Sequence, residues 1–252
     1  MMKPGDVMGG LAKGLRVIEA FTAETPRLSI AEAAQIAGLD RATTRRCLLT
    51  LSEQGYCSYD GKFFTVTPRV LRLGTGCLAS MPLPRIVQPW LDALSEEIGQ
   101  STSVAILDDT EIVYVARAMQ RKVMSIALMP GSRLPAYCTS LGRVMLAALD
   151  VDEAREQLRR RPLVARTPRT VTDENALMAE LDRVRSQGYA AVDEEVEDGL
   201  RSVAVPLRNA RGIVVAALNT GFAVTTEPMR DAVAGYLEPL QRVGRELRGI
   251  VA

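Results

Sequence analysis

Residues 28–66 carry helix and turn signals at intervals so short that they leave the chain path little freedom. Ser29-Ile30-Ala31-Glu32 has the S-x-x-E form of a capping box, which ties up free amides at a helix start. That helix is short and stops at Gly38, because glycine tolerates the left-handed turn. Asp40 is placed to cap a further helix from about Arg41 to Gln54, ended by Gly55. Within it Thr44, Cys47, Leu48 and Leu51 fall on one helical stripe and are assigned to the core, with the Thr44 methyl inward. The opposite face offers Arg41, Thr43, Arg45 and Arg46. Two β-prone runs, Tyr56–Tyr59 and Lys62–Val66, then flank Asp60-Gly61, a strong hairpin signal. Upstream, Leu11, Leu15, Ile18 and Phe21 (with Val17) mark the apolar face of a helix over roughly Gly10–Thr22, followed by a loop through Pro26.

Helix, helix, glycine turn, helix, hairpin is the outline of a winged helix-turn-helix. In that reading the helix from Arg41 enters the major groove of DNA, its Arg and Thr reach base edges and phosphates, and Lys62 at the hairpin tip touches the backbone or minor groove. The candidate DNA contacts are Ser29, Arg41, Thr43, Thr44, Arg45, Arg46 and Lys62. The plainer alternative is a helical pair and a hairpin whose arginines are only solvated. Net charge does not decide between them. The chain carries +1 overall, with ten basic against seven acidic residues up to position 79 and a net −2 beyond it.

Composition excludes more than it proves. With no histidine among 252 residues, Ser-His-Asp and Cys-His catalysis, HExxH metalloproteases and His-containing zinc sites are ruled out. Cys47, Cys57, Cys77 and Cys138 form no CxxC pair and read as reduced, mostly packed thiols of a cytosolic protein. The start MMKPGDVMGG has no signal-peptide core, and no apolar run approaches a membrane span. A cytoplasmic protein without membrane contact is expected.

The helical part gives way to a larger mixed part near Ala79–Pro84, where two prolines interrupt the chain. A helix is expected over Arg85–Ile98 with Ile86, Trp90, Leu94 and Ile98 on its stripe. Strands follow near Thr102–Leu107, Glu111–Ala116 and Val123–Leu128, and a loop through Gly131 and Pro135 leads to a helix from about Ser140. A further helix ends at Leu158–Pro162, and another covers Glu174–Ser186 behind the cap Thr172. Strands near Tyr189–Val192, Ser202–Pro206 and Ile213–Asn219 precede a last amphipathic helix over about Thr226–Ile250. Adjacent antiparallel strands with flanking helices give an α+β class and a sensor-like module.

Three stretches carry a resemblance that spans nearly the whole chain: Leu28–Ala34 through Leu48–Leu51, Pro130–Ala147, and Gly188–Glu195 continuing to Gly199–Pro206. In combination and order they resemble the IclR family of bacterial transcriptional regulators. Asp40-Arg41-Ala42-Thr43, Arg133–Ser140 and Gly199–Ser202 are most similar to its PcaR/PobR-type branch, which controls aromatic-acid catabolism. The resemblance implies a winged-helix DNA-binding domain over residues 8–68, a linker helix over 69–83 and a GAF-like α/β effector-binding domain over 84–252. It also implies operator DNA as partner, a homodimer or a dimer of dimers, no enzyme activity, no cofactor or metal, and an effector such as protocatechuate, 4-hydroxybenzoate or β-ketoadipate. A regulator of another organic-acid pathway is one alternative. A metabolite-binding protein or enzyme with a helical arm that does not bind DNA is the other.

The matching pocket positions are Thr139, Ser140, Leu141, Gly142, Asp193, Ser202, Asn219 and Thr220. Amides at the start of the helix from Ser140, with the Thr139 and Ser140 hydroxyls, suit a carboxylate, though Thr139 or Ser140 as a simple N-cap is the plain reading. Ser202 and Asn219 suit hydroxyl or keto oxygens; Arg133 and Arg201 either face the pocket or make surface pairs. Cys138 at a helix start has the placement of a nucleophile but no histidine to serve as base, and a buried structural thiol is the commoner case. Asp193-Glu194-Glu195 with Glu197-Asp198 has the composition of a metal site, but successive acids on a strand point to alternate faces, as in a solvated loop.

Overall fold

The structure, a computed structural model, describes residues 6–22, 25–120 and 128–251. The chain divides into two units, Met1–Ser80 and Met81–Ala252. In the first, α1 (Gly9–Glu19), α2 (Ile30–Ala37) and α3 (Arg41–Glu53) precede strands β2 (Cys57–Tyr59) and β3 (Phe64–Val66). A short strand β1 (Arg27–Leu28) pairs with β3, where the sequence suggested only loop. The sheet order is β1-β3-β2, and all pairs are antiparallel. A 3-10 turn at Pro68–Val70 leads into α4 (Leu71–Ser80).

The local signals are realised atom by atom. Ser29 Oγ accepts from the Glu32 amide while the Glu32 carboxylate accepts from the Ser29 amide, closing the capping box. Gly38 ends α2 at φ 61°, and Asp40 caps α3 by accepting from the Thr43 amide at 2.8 Å. The core of this unit joins Val17, Ala20, Leu28, Ala33, Leu48, Cys57 and Phe64. The stripe assigned to α1 is therefore rotated. Val17 and Ala20 face inward, while Leu11 and Leu15 are 61% and 47% exposed.

The second unit holds α5 (Pro82–Ile98), β4 (Ser101–Asp108), β5 (Glu111–Ala118), β6 (Arg133–Pro135), α6 (Ser140–Leu146), α7 (Val151–Arg159), α8 (Glu174–Gln187), β7 (Ala190–Asp193), β8 (Leu200–Arg208), β9 (Val214–Ala223) and α9 (Met229–Leu247). The strand expected near Val123–Leu128 falls, except for Leu128, outside the described residues. Six antiparallel strands run in the order β6-β5-β4-β9-β8-β7. Val87, Leu91 and Leu94 of α5 pack with Leu240, Val243 and Leu247 of α9 on one face of the sheet. Leu141 and Leu146 of α6, Leu158 of α7, and Leu177 and Leu181 of α8 cover the other. With both faces covered, β8 reads as a nearly continuous apolar run and shows little alternation. Two boundaries move: α5 buries Val87, Leu91 and Leu94 where the stripe Ile86, Trp90, Leu94, Ile98 was expected, and Asp173, not Thr172, caps α8.

Candidate DNA-reading helix and effector cavity

In the first unit α3 presents Arg41, Ala42, Arg45 and Leu49 on its exposed face. Among the described residues no carboxylate lies within ion-pair distance of Arg41, Arg45 or Arg46. The hairpin tip is set by Asp60, whose Oδ1 accepts from the Lys62 and Phe63 amides, which holds its carboxyl below the usual range. Arg27 lies 4.1 Å and Lys62 5.1 Å from the Phe63 ring centroid, so two cations flank one aromatic at the wing. No such signal marks Arg27 in the sequence, because Pro26 reads as loop and the two-residue strand β1 is too short to show a pattern.

Two candidate DNA contacts are corrected. Thr44 is fully buried and its hydroxyl donates to the Asp40 carbonyl at 3.0 Å, so it belongs to the core alone. Thr43 is also buried; it turns toward α1, and its hydroxyl accepts from Arg46 at 3.5 Å. Ser29 is engaged in its capping box, which leaves Arg41, Arg45, Arg46 and Lys62 as the exposed members of the set.

In the second unit a cavity opens between the sheet and the start of α6, lined by Tyr114, Arg117, Thr139, Ser140, Ser202 and Asn219 among polar residues, and by Leu128, Leu134, Val196 and Leu200. Its floor is a grid made by strand register. Ser101, Gly221 and Ser202 lie side by side across β4, β9 and β8, and the next row on that face is Arg117, Ser103, Asn219 and Ala204 across β5, β4, β9 and β8. A bulge at Val115 lets Tyr114 pair with Ala105 while Arg117 pairs with Ser103. Residues three apart on one strand thereby share one face, which plain alternation forbids.

Three polar atoms on the cavity wall are buried without a partner among the described residues: Arg117 Nε, Ser140 Oγ and Asn219 Oδ1. Such groups are normally satisfied, so their convergence marks a place for a polar ligand. Arg117 donates from Nη1 to Ser103 Oγ at 2.9 Å, and its burial holds its pKa below the ordinary arginine value. Burial also lifts Tyr114 to about 12, which keeps its phenol neutral. The free space is about 30 Å³, room for one water.

Thr139, Ser140, Ser202 and Asn219 thus meet in the cavity, and the other expected members do not. Leu141 is packed in the core. Gly142 fits tightly on the preceding segment, since a Cβ there would stand 2.2 Å from the Ala136 carbonyl oxygen. Its amide is already taken by Thr139 Oγ1, so the start of this seven-residue helix offers a carboxylate less than expected. Asp193 sits elsewhere, held by Arg201 at 2.6 Å and Arg169 at 3.4 Å. Thr220 points to the opposite face, where its hydroxyl donates to the Ser101 carbonyl. Arg133 pairs with Asp108 and Glu111, and Arg201 with Asp193.

The loop between β7 and β8 brings Val196 to the cavity and is clasped from outside. Thr167 and Thr170 donate their hydroxyls to the Glu194 and Glu195 carbonyls at 2.6 Å each, and Arg166 Nε donates to the Val196 carbonyl at 3.3 Å. The Glu195 carboxylate accepts from Arg143 of α6 at 2.6 Å and from the Val171 amide. The acidic run is consequently a structural clasp, and no cluster of metal ligands occurs among the described residues. Cys138 is fully buried, with its thiol pushed up to about 11 by desolvation, the reverse of an activated nucleophile. No helix among the described residues is long and apolar enough to cross a membrane.

Comparison with known proteins assigns each of the two units. A profile described as "IclR helix-turn-helix domain" matches residues 10–61, and one described as "Bacterial transcriptional regulator IclR C-terminal" matches 75–247. The chain is 42% identical over 243 residues to the Pca regulon regulatory protein of Pseudomonas putida, covering 96% of this chain and 84% of that one. It is 36% identical over 251 residues to the p-hydroxybenzoate hydroxylase transcriptional activator of Acinetobacter baylyi, covering 98% and 93%. The inducer-binding domain of the Acinetobacter PobR transcription factor, solved with 3-hydroxybenzoic acid as a double mutant, superposes with a TM-score of 0.64 at 34% identity, covering 68% of this chain and all of that one. With a reading helix and wing in one unit and a polar-lined cavity in the other, the chain belongs to the IclR family of bacterial transcriptional regulators.

Proposed function

We propose that this regulator answers a small hydroxylated aromatic acid and acts without chemistry on it. The convergence of Arg117 Nε, Ser140 Oγ and Asn219 Oδ1 on one cavity carries the reading. Arg117 supplies the counter-charge for a carboxylate, and the apolar walls from Leu128, Leu134 and Leu200 suit a ring. Ser140, Ser202 and Asn219 read a ring hydroxyl. The relatives' connection to p-hydroxybenzoate and 3-hydroxybenzoic acid supports this class. An aromatic acid needs more than 30 Å³, so entry displaces Val196 and loads the loop clasped by Arg143 and Thr170.

On the DNA side, Arg41, Arg45, Arg46 and Lys62 contact a two-half-site operator in a homodimer or dimer of dimers. The exposed Met8, Leu11 and Leu15 of the first unit support self-association. The reading is tested by selecting operator DNA from a random pool with the full-length protein, then titrating 4-hydroxybenzoate, protocatechuate and β-ketoadipate into the complex. An aromatic acid that shifts DNA affinity while remaining chemically unchanged is expected. If none of them alters DNA affinity or melting temperature, the effector assignment fails.

A further inference from the structure

We propose that the second unit carries another small-molecule site, behind the effector cavity, that takes a neutral single-ring phenol. A separate cavity of about 140 Å³ lies between the Pro135–Tyr137 segment and α7. That is close to the ~150 Å³ of an engineered apolar cavity that accommodates benzene. Leu146, Leu158, Pro135, Ala136 and the Tyr137 ring give it an apolar body.

Two of its polar groups are already engaged. The Tyr137 hydroxyl donates to the Val164 carbonyl, and the Glu111 carboxylate accepts from Arg133 at 2.8 Å. Among the buried side-chain atoms of this wall, Gln157 Oε1 has no partner among the described residues. A ligand that fits therefore has an apolar ring and one hydrogen-bond donor. An anion is disfavoured. The lining's cation, Arg161, is 63% exposed at the rim and already faces Asp109 at 3.7 Å, and Glu111 adds negative charge to the wall. This site is distinct from the effector cavity, because Leu134, Thr139 and Ser140 turn to one side of the partition where Pro135, Ala136 and Tyr137 turn to the other.

The test titrates phenol, benzene and 4-hydroxybenzoate into the full-length protein by ligand-observed NMR. The protein forms compared are wild type, Gln157→Leu and Arg117→Met. Gln157→Leu is expected to lower the ratio of phenol to benzene affinity about tenfold and to leave 4-hydroxybenzoate within twofold. Arg117→Met is expected to do the reverse. Leu163→Trp, which fills the cavity mouth, should weaken both neutral probes together and serves if Gln157→Leu does not fold. Absence of phenol binding at 10 mM, an unchanged phenol-to-benzene ratio in Gln157→Leu, or loss of phenol binding in Arg117→Met would overturn the proposal. Failure of 4-hydroxybenzoate to bind wild type speaks only against the effector reading.

Discussion

Arg117→Met isolates the anion-binding element of the effector cavity. Arg117 is half-buried, holds one good hydrogen bond to Ser103 at 2.9 Å, and leaves its buried Nε without a partner among the described residues. Methionine keeps the apolar stem and removes the charge. Without effector the exchange is nearly balanced. A Ser103 hydroxyl losing its donor costs about 1 kcal/mol, and removal of a desolvated cation offsets it. The melting temperature should therefore move by only a few degrees, at ~2–4 °C per kcal/mol for a domain of this size. With an aromatic acid the balance changes. A hydrogen bond to a charged partner contributes ~1.5–3 kcal/mol, and the carboxylate is also left without a counter-ion in an apolar cavity. Loss of about 2–3 kcal/mol, or roughly 30- to 150-fold in affinity, is expected for 4-hydroxybenzoate by calorimetry. The neutral methyl ester, which has no charge for Arg117 to meet, should bind both proteins within threefold. Equal losses for acid and ester would mean that Arg117 shapes the wall without pairing the carboxylate. An unchanged affinity for the acid would place its carboxylate elsewhere.

Arg45→Ala should weaken operator binding by ~1–3 kcal/mol and make the log–log salt slope less negative, whereas Thr44→Ala should lower the melting temperature and leave the slope alone; gel shifts over a salt series separate the two. Glu195→Gln leaves the buried Arg143 charge with Glu180 at 3.9 Å as its remaining carboxylate and should cost up to ~3–5 kcal/mol in urea unfolding, much of it recovered in the Arg143→Met/Glu195→Leu double variant. Gly142→Ala pushes a methyl into the Ala136 carbonyl and should destabilise by ~3 kcal/mol or more, measured by the same titration. In a thiol-labelling experiment at pH 8 the exposed Cys77 should react promptly. Cys57 and Cys138, both raised to about 11 by burial, should react only once denaturant opens the fold, and labelling of either at the Cys77 rate would contradict their packing.

Elements whose signals are local are legible in the sequence. The Ser29–Glu32 box, the Gly38 turn and the Asp40 cap each act within a few residues, and each recurs in the structure with the anticipated partners. What failed was long-range. Of the expected α1 face, Val17 enters the core and Phe21 packs against it, but Leu11 and Leu15 stay exposed and Ala20, outside that face, is buried, because periodicity gives a face without saying which neighbour it meets. Thr220 lies between the cavity residues Asn219 and Gly221 in sequence and points away from them, since adjacent strand positions alternate faces; Asp193 stands opposite Arg201, one place from Ser202, and is held there by the Arg201 guanidinium. Arg117 escaped notice for the opposite reason. The bulge at Val115 adds a residue to β5, and nothing in Glu111–Ala118 announces it. The unusual sign is an arginine beyond the largely apolar run Ile112–Ala116, placed by the bulge on the cavity wall.

The two-row floor has a consequence for how such a sensor acquires new tastes. Ser103, Asn219, Gly221, Ser202 and Ala204 each stand on a strand whose backbone is paired on both edges, so the chemistry at these positions can be exchanged without redrawing the fold. Gly221, between the Ser101 and Ser202 hydroxyls, is the blank square. A Cβ there would meet Leu200 Cδ1 at 3.7 Å and the Arg201 carbonyl oxygen at 3.9 Å, both ordinary contacts. One substitution at that square, to alanine or serine, shortens the floor or writes a third hydroxyl between the existing two. Ligand preference can therefore drift by single steps while the reading helix, carried by the other unit of the chain, keeps its operator.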